Sequence, residues 1–246
     1  MKRFTTEAFI LKHTNYQDAD RIYTFVSDDL GKFTALAKGV RKISSRRGGL
    51  LDSANKIKVS VSEGSTGFKT VSEVVLLDSY ANIKNDFEKS RLVFYVLELL
   101  NRFLEEGSVA GVFNLVDVTL KNISSANDDR KSFLAVLAFE IRFMHLLGYT
   151  LNLTTCGSCD APILSPFLGA KFDVSSGSLI CSNCFGGFRA TSDVINIMIY
   201  LNAKIFNLDN AEVPDFSLTN ISSASDLVRS YIKEISGYSL STDKLR

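Results

Sequence analysis

The sequence predicts an α+β chain of two domains, a strand-rich N-terminal barrel followed by a helical domain that carries a four-cysteine insertion. Three observations predict it. Up to about residue 80 the apolar residues fall in short β-rich runs, and beyond residue 82 they recur at helical spacing. The four cysteines form two CxxC pairs, Cys156/Cys159 and Cys181/Cys184, with helical patterns on both sides.

Thr5 to His13, Arg21 to Ser27, Lys32 to Lys38, Asn55 to Val61 and Phe68 to Leu77 are rich in Val, Ile, Phe, Thr and Tyr, and glycines at 31, 39, 64 and 67 punctuate them. Asp28-Asp29-Leu30-Gly31 supplies a hairpin turn between the second and third runs. Several of the runs alternate, and in the last Val71, Glu73 and Val75 oppose Ser72, Val74 and Leu76 only imperfectly. Five short strands with a longer connection after the third fit a Greek-key barrel of the OB type. An SH3-like barrel or a small sandwich shows nearly the same pattern. The first domain is therefore expected over 1–80.

The second domain is expected over 81–246. Leu92, Val96, Leu99, Leu100 and Phe103 make one apolar stripe, which ends near Gly107. Val109, Val112, Phe113, Val116, Leu120 and Ile123 make a second. A third helix runs from Asp128 to Leu147, with acidic Asp128 and Asp129 at its positive end and Gly148 as its stop. Two further helices are expected over Asp193 to Phe206 and Ser225 to Ser236, ahead of a polar tail from Ser239 to Arg246.

Between the third and fourth helices lies the cysteine segment, 154–188. Each CxxC turn can aim two sulfurs at one ion, and four soft thiolates suit a tetrahedral Zn2+ with no open position for water. The expected cofactor is one structural zinc held by Cys156, Cys159, Cys181 and Cys184, in a zinc ribbon inserted into the α-helical domain. Gly157, Ser158, Ser182 and Asn183 are small enough for turns whose amides reach the thiolates, and Ser175-Ser176-Gly177 reads as a hairpin turn between them. Two disulfides would need an oxidising compartment. The start of the chain, MKRFTTEAFILKHTNYQDADR, lacks the pattern of a signal peptide, and no apolar run is long enough to cross a bilayer, so a cytosolic protein without membrane partners is expected.

Net charge is +1, but residues 1–80 hold 13 basic and 9 acidic side chains. Lys32, Lys38, Arg41, Lys42, Arg46 and Arg47 occur with no acidic residue between Asp29 and Asp52, a stretch whose natural partner is a polyanion. Gly48 and Gly49 are expected to keep that loop mobile and open to a phosphate. Phe9, Tyr23, Phe25 and Phe33 are candidates either for the core or for stacking on bases, and the need of a small barrel for large apolar residues favours the core. His13 and His145 read as packing or surface residues, and Asp18, Asp20 and Arg21 as solvated charge. No P-loop, G-x-G-x-x-G, H-E-x-x-H or G-x-S-x-G occurs, so nucleotide hydrolysis and the familiar hydrolase chemistries find no support, and no catalytic residue is expected.

Ala37-Lys38-Gly39-Val40-Arg41-Lys42 leading to Arg46-Arg47-Gly48-Gly49-Leu50, then Leu146-Leu147-Gly148-Tyr149 before the two CxxC pairs, resembles the RecO family of bacterial DNA repair proteins over nearly the whole chain. The resemblance implies an N-terminal OB-fold, a helical domain with zinc on the four cysteines, and DNA contact by Lys38, Arg41, Lys42, Arg46 and Arg47. It further implies binding to single- and double-stranded DNA, strand annealing, and, with RecR, help in loading RecA onto DNA coated by SSB, in the cytoplasm at the nucleoid. A pocket for the acidic tail of SSB is expected between 82 and 150, where Arg91, Arg102 and Arg142 interrupt apolar stripes. The alternative is a zinc-ribbon and OB-fold RNA-binding protein of the translation machinery.

Overall fold

The computed structural model describes residues 2–43, 45, 47–107, 109–203 and 214–237. Five strands, β1 (Lys2–Tyr16), β2 (Asp20–Ser27), β3 (Gly31–Ala37), β4 (Lys56–Glu63) and β5 (Lys69–Asp78), close a barrel in the order β1-β2-β3-β5-β4. Closure depends on the length of β1. Its first half pairs with β4, from Lys2↔Glu63 to Phe9↔Lys56, and its second half with β2, from Ala8↔Ser27 to Tyr16↔Asp20. A parallel bridge, Leu36↔Thr70, joins β3 to β5, so the barrel has the OB-like topology.

Alternation selects the core. Tyr23 and Phe25 on β2, Phe33, Ala35 and Ala37 on β3, and Ile57, Val59 and Val61 on β4 all point inward. Tyr23, Phe25 and Phe33 stack in sequence, with ring centroids 6.0 and 5.0 Å apart. These three rings fill the barrel, and Phe9 is buried as well, so none of the four offers a face to a base. The irregular pattern of the fifth strand has a local cause. Val61 pairs with Val71 but Ser60 with Glu73, so Ser72 is an extra residue in a bulge, which turns both Val71 and Val74 inward.

Three helices, α1 (Ala81–Lys84), α2 (Phe87–Phe103) and α3 (Val112–Ser125), complete the first compact unit, residues 1–124. The change of period at residue 80 and the limit of packing thus fall at different places. Phe9, on the outer side of β1, meets Phe113 of α3 at 5.2 Å and Tyr80 at 6.4 Å. The Lys56 ammonium lies over the Phe9 and Phe113 rings and pairs with Asp117 at 3.1 Å. Tyr80 Oη donates to the same carboxylate at 3.2 Å. Burial tends to raise the Asp117 pKa, but hydrogen bonds from Lys121 and Lys56 outweigh it and hold the group below the usual carboxylate value.

The second compact unit begins at Ser125. Its centre is α4 (Asp129–Leu146), buried on nearly every face from Ser132 to Met144 and capped by Asp128, whose side chain accepts from Lys131 N. It packs against α6 (Leu218–Ser236), where the fully buried Glu140 takes Arg229 Nε at 2.7 Å. Between α4 and α5 (Ser192–Ala203) sits a four-stranded sheet, β6 (Asn152–Cys156), β7 (Lys171–Asp173), β8 (Ser178–Ile180) and β9 (Phe188–Arg189), in the order β6-β8-β7-β9. The fifth helix begins within a residue of its expected start, and 204–206 lie outside the described residues. The last helix starts earlier than its apolar pattern suggests because Ser217 caps it, and it stops at left-handed Gly237. The tail from Ser239 lies outside the described residues. No described helix is long and apolar enough to cross a membrane.

Candidate metal centre and basic loop

Cys156 ends β6 and Cys181 follows β8, strands that run parallel, so their neighbourhood brings both CxxC turns to one end of the small sheet. The four sulfurs lie within 4.8 Å of one another, and Cys159 Sγ stands 3.9 Å from Cys181 Sγ. A tetrahedron with metal–sulfur bonds of about 2.3 Å has sulfurs about 3.8 Å apart, so the donor set fits one soft ion. The expected amide contacts are present. Cys181 N donates to Cys156 Sγ at 3.3 Å and Ser158 N at 3.5 Å. These donors, the Cys181 amide first, lower the Cys156 pKa to about 6, whereas Cys184, hydrogen-bonded chiefly with Cys159, is pushed up to about 12. Four sulfurs this close cannot all ionise without a cation among them.

The local sequence explains the close fit. A Cβ on Gly157 would stand 2.8 Å from Ser178 Cβ, so the first turn can lie on β8 only with glycine there. Lys171 Nζ donates to the carbonyl of Cys184 and holds the second turn from β7. In the β7–β8 turn, Asp173 accepts from Ser175 and Ser176, and Gly177 has φ 65°. A Cβ on Gly177 would meet the Tyr231 ring of α6 at 2.7 Å. Gly177→Ala is therefore expected to lower stability by about 2–4 kcal/mol, from the left-handed backbone and overpacking together. Gly186→Ala, where φ is 94° but the space is open, should cost about 1–2 kcal/mol. Denaturant unfolding of the two variants checks this, since equal losses would mean that Tyr231 yields freely.

The basic loop follows β3. Antiparallel pairing of β2 with β3, Arg21↔Ala37, sets its start beside the β1–β2 turn. Gly39 N donates to Asp20 Oδ1 at 2.7 Å, Arg41 N to the Ala19 carbonyl at 2.9 Å, and Arg41 Nη1 to that of Gln17 at 3.3 Å. Val40 and Leu51 are buried and anchor its two ends. Gly48 is there for packing, because its Cβ would fall 3.0 Å from the Val40 carbonyl oxygen.

The five described members of the six basic residues separate into different roles. Lys38, Arg41 and Lys42 are exposed on the loop. Arg47 donates to the carbonyls of Lys38 at 2.9 Å and Val71 at 3.3 Å, so its guanidinium ties the loop to β5. Lys32 Nζ donates to the carbonyls of Asn101 at 2.5 Å and Leu104 at 2.7 Å, closing the C-terminal end of α2, and burial lowers its pKa. Arg46 lies outside the described residues. Sequence reasoning missed Asp20 as the anchor of Gly39, since only strand register brings them together. His13 rests on the Tyr23 ring, and His145 bonds Thr150, which fits packing roles. Of the arginines expected to receive an acidic tail, Arg91 is held by Glu88 at 2.9 Å and Arg142 is buried in α4.

Comparison with known proteins covers both regions. Residues 1–80 match the family model described as Recombination protein O N terminal, and residues 84–241 match Recombination protein O C terminal. The protein called DNA repair protein RecO in a strain of Dehalococcoides mccartyi is 31% identical over 202 residues, which cover 80% of this chain and 78% of that protein. Proteins of the same name from Geobacter metallireducens, at 30% identity, and Desulfatibacillum aliphaticivorans, at 31%, each cover 75% of this chain and 73% and 72% of their own length.

Proposed function

The chain belongs to the recombination protein O family, and we propose that it is a DNA repair and recombination mediator that binds single- and double-stranded DNA and anneals complementary strands without catalysing a reaction. The observation that carries this reading is the match of both family models across the chain, together with exposed Lys38, Arg41 and Lys42 on the barrel. The mechanism is electrostatic. Cations held on a pinned loop neutralise backbone phosphates, which lowers repulsion between two strands brought together on one protein. Burial of Phe9, Tyr23, Phe25 and Phe33 removes those four rings from base stacking, so phosphate contact by the loop supplies the affinity, and Tyr16 and Phe68 are exposed rings of the barrel region left for a base. Zinc is the metal assigned to the four thiolates, where it would fix the ribbon against α6 and supply structure rather than reactivity.

In this reading the protein works in the cytoplasm at the nucleoid, binds SSB-coated DNA and, with RecR, helps RecA to load. Any polycation promotes some annealing of naked strands. The informative substrate is therefore complementary DNA coated with SSB, where contact with SSB is required as well. Acceleration without ATP is expected with full-length SSB and a clear loss with SSB lacking its acidic tail. Equal rates with both, or no acceleration of coated strands, would remove the mediator role. Competition by structured RNA that displaces DNA would favour a translation-linked role instead.

A further inference from the structure

Beside the basic loop lies a surface pocket of about 740 Å3, within the range of small-ligand sites, roughly 300–1,000 Å3. One wall is the β1–β2 turn, with Gln17 and Asp18, and the other is the loop, with Lys38, Lys42 and Ser45. Asp20 and Arg47 also line it, but both are engaged by the loop backbone. Lys38, Lys42 and Asp18 differ from them. No hydrogen bond or ion pair engages their side chains among the described residues, although cations and carboxylate share one pocket. The pocket thus holds separated charges of opposite sign, a pattern complementary to a molecule that carries an anion at one end and hydrogen-bond donors at the other.

We propose that this pocket seats one nucleotide of a single strand, with its phosphate on Lys38 and Lys42 and the pairing edge of its base on Asp18. The inference rests on the DNA-binding reading above and adds to it a means of telling single strands from duplex. A carboxylate beside a phosphate-binding surface repels the backbone, so on electrostatics alone Asp18 weakens binding. It contributes only where a base presents N–H groups to it. The exocyclic amino group of cytosine suits a carboxylate acceptor, whereas the one pairing-edge donor of thymine, N3–H, lies between two carbonyl oxygens that repel a carboxylate. In a duplex the pairing edges are occupied, so Asp18 meets phosphates without a compensating donor and disfavours that form.

Fluorescence anisotropy with oligo(dC), oligo(dT) and a duplex of equal length, at several salt concentrations, tests the proposal. The wild type should bind oligo(dC) about fivefold or more tighter than oligo(dT). Asp18→Ala should abolish that preference by weakening oligo(dC), while duplex binding tightens. Lys38→Ala should weaken all three DNAs, since a phosphate contact carries no base information. Equal tightening of every DNA by Asp18→Ala, or an unchanged preference, would overturn the pocket and leave DNA binding by the loop intact. Wild-type protein that shows no salt-dependent affinity for any of the three would instead remove the DNA-binding reading, and the pocket with it.

Discussion

Cys181→Ser is expected to lose most of the bound metal and to unfold the ribbon of the second unit well below the temperature at which the wild type melts. Strands β7 and β8 are three residues each, too short to hold the segment on their own hydrogen bonds. Structural zinc supplies about 10–16 kcal/mol of folding free energy in small zinc domains, comparable with the whole net stability of a domain, about 5–15 kcal/mol. Removing one sulfur from a set within 4.8 Å leaves three donors and an open position. Metal analysis and thermal unfolding of the same samples should therefore fall together. Stripping the wild type with a chelator should reproduce the loss, and added zinc should restore it. Protein isolated under reducing conditions without stoichiometric metal, yet fully folded, would contradict the assignment.

Replacing Lys38, Arg41 and Lys42 together by alanine should cut single-strand affinity by about tenfold or more and flatten its salt dependence. Each phosphate contact contributes about −0.7 to the slope of log affinity against log salt on single strands, so three lost contacts change it by about 2. The fold should survive, because all three side chains are exposed and the one backbone contact among them, Arg41 Nη1 to the Gln17 carbonyl at 3.3 Å, adds to the backbone bonds that already seat the loop. Arg47→Ala is a different case. Its guanidinium bonds two carbonyls, so its removal should loosen the loop between Gly39 and Leu51, visible as faster amide exchange there, besides any loss of affinity. A triple variant that binds with unchanged affinity and slope would place the DNA surface elsewhere on the chain.

The four-sulfur cluster was legible because all of its information is local. Two CxxC spacings fix which sulfurs can share an ion, and small residues within each turn make the turns possible. Strand and helix positions were legible for a similar reason, since period two and period 3.6 are properties of neighbouring residues. Bulging at Ser72 was not, because an extra residue shows itself only against the partner strand.

The amino-acid sequence by itself determined the family, the order of barrel, helices and ribbon, and the four sulfurs of the centre. Only the tertiary structure decided where each described basic side chain goes. Six cations in one acid-free stretch are equivalent in sequence, but a cation goes to whichever acceptor the fold leaves within reach. For Lys32 that is the carbonyl end of α2, and for Arg47 the carbonyls of Lys38 and Val71, while Lys38 and Lys42 remain turned to the pocket with Asp18. The grouping of α1–α3 with the barrel was decided in the same way, by Lys56, Tyr80 and Asp117 closing on one another across distances in sequence that no periodicity records.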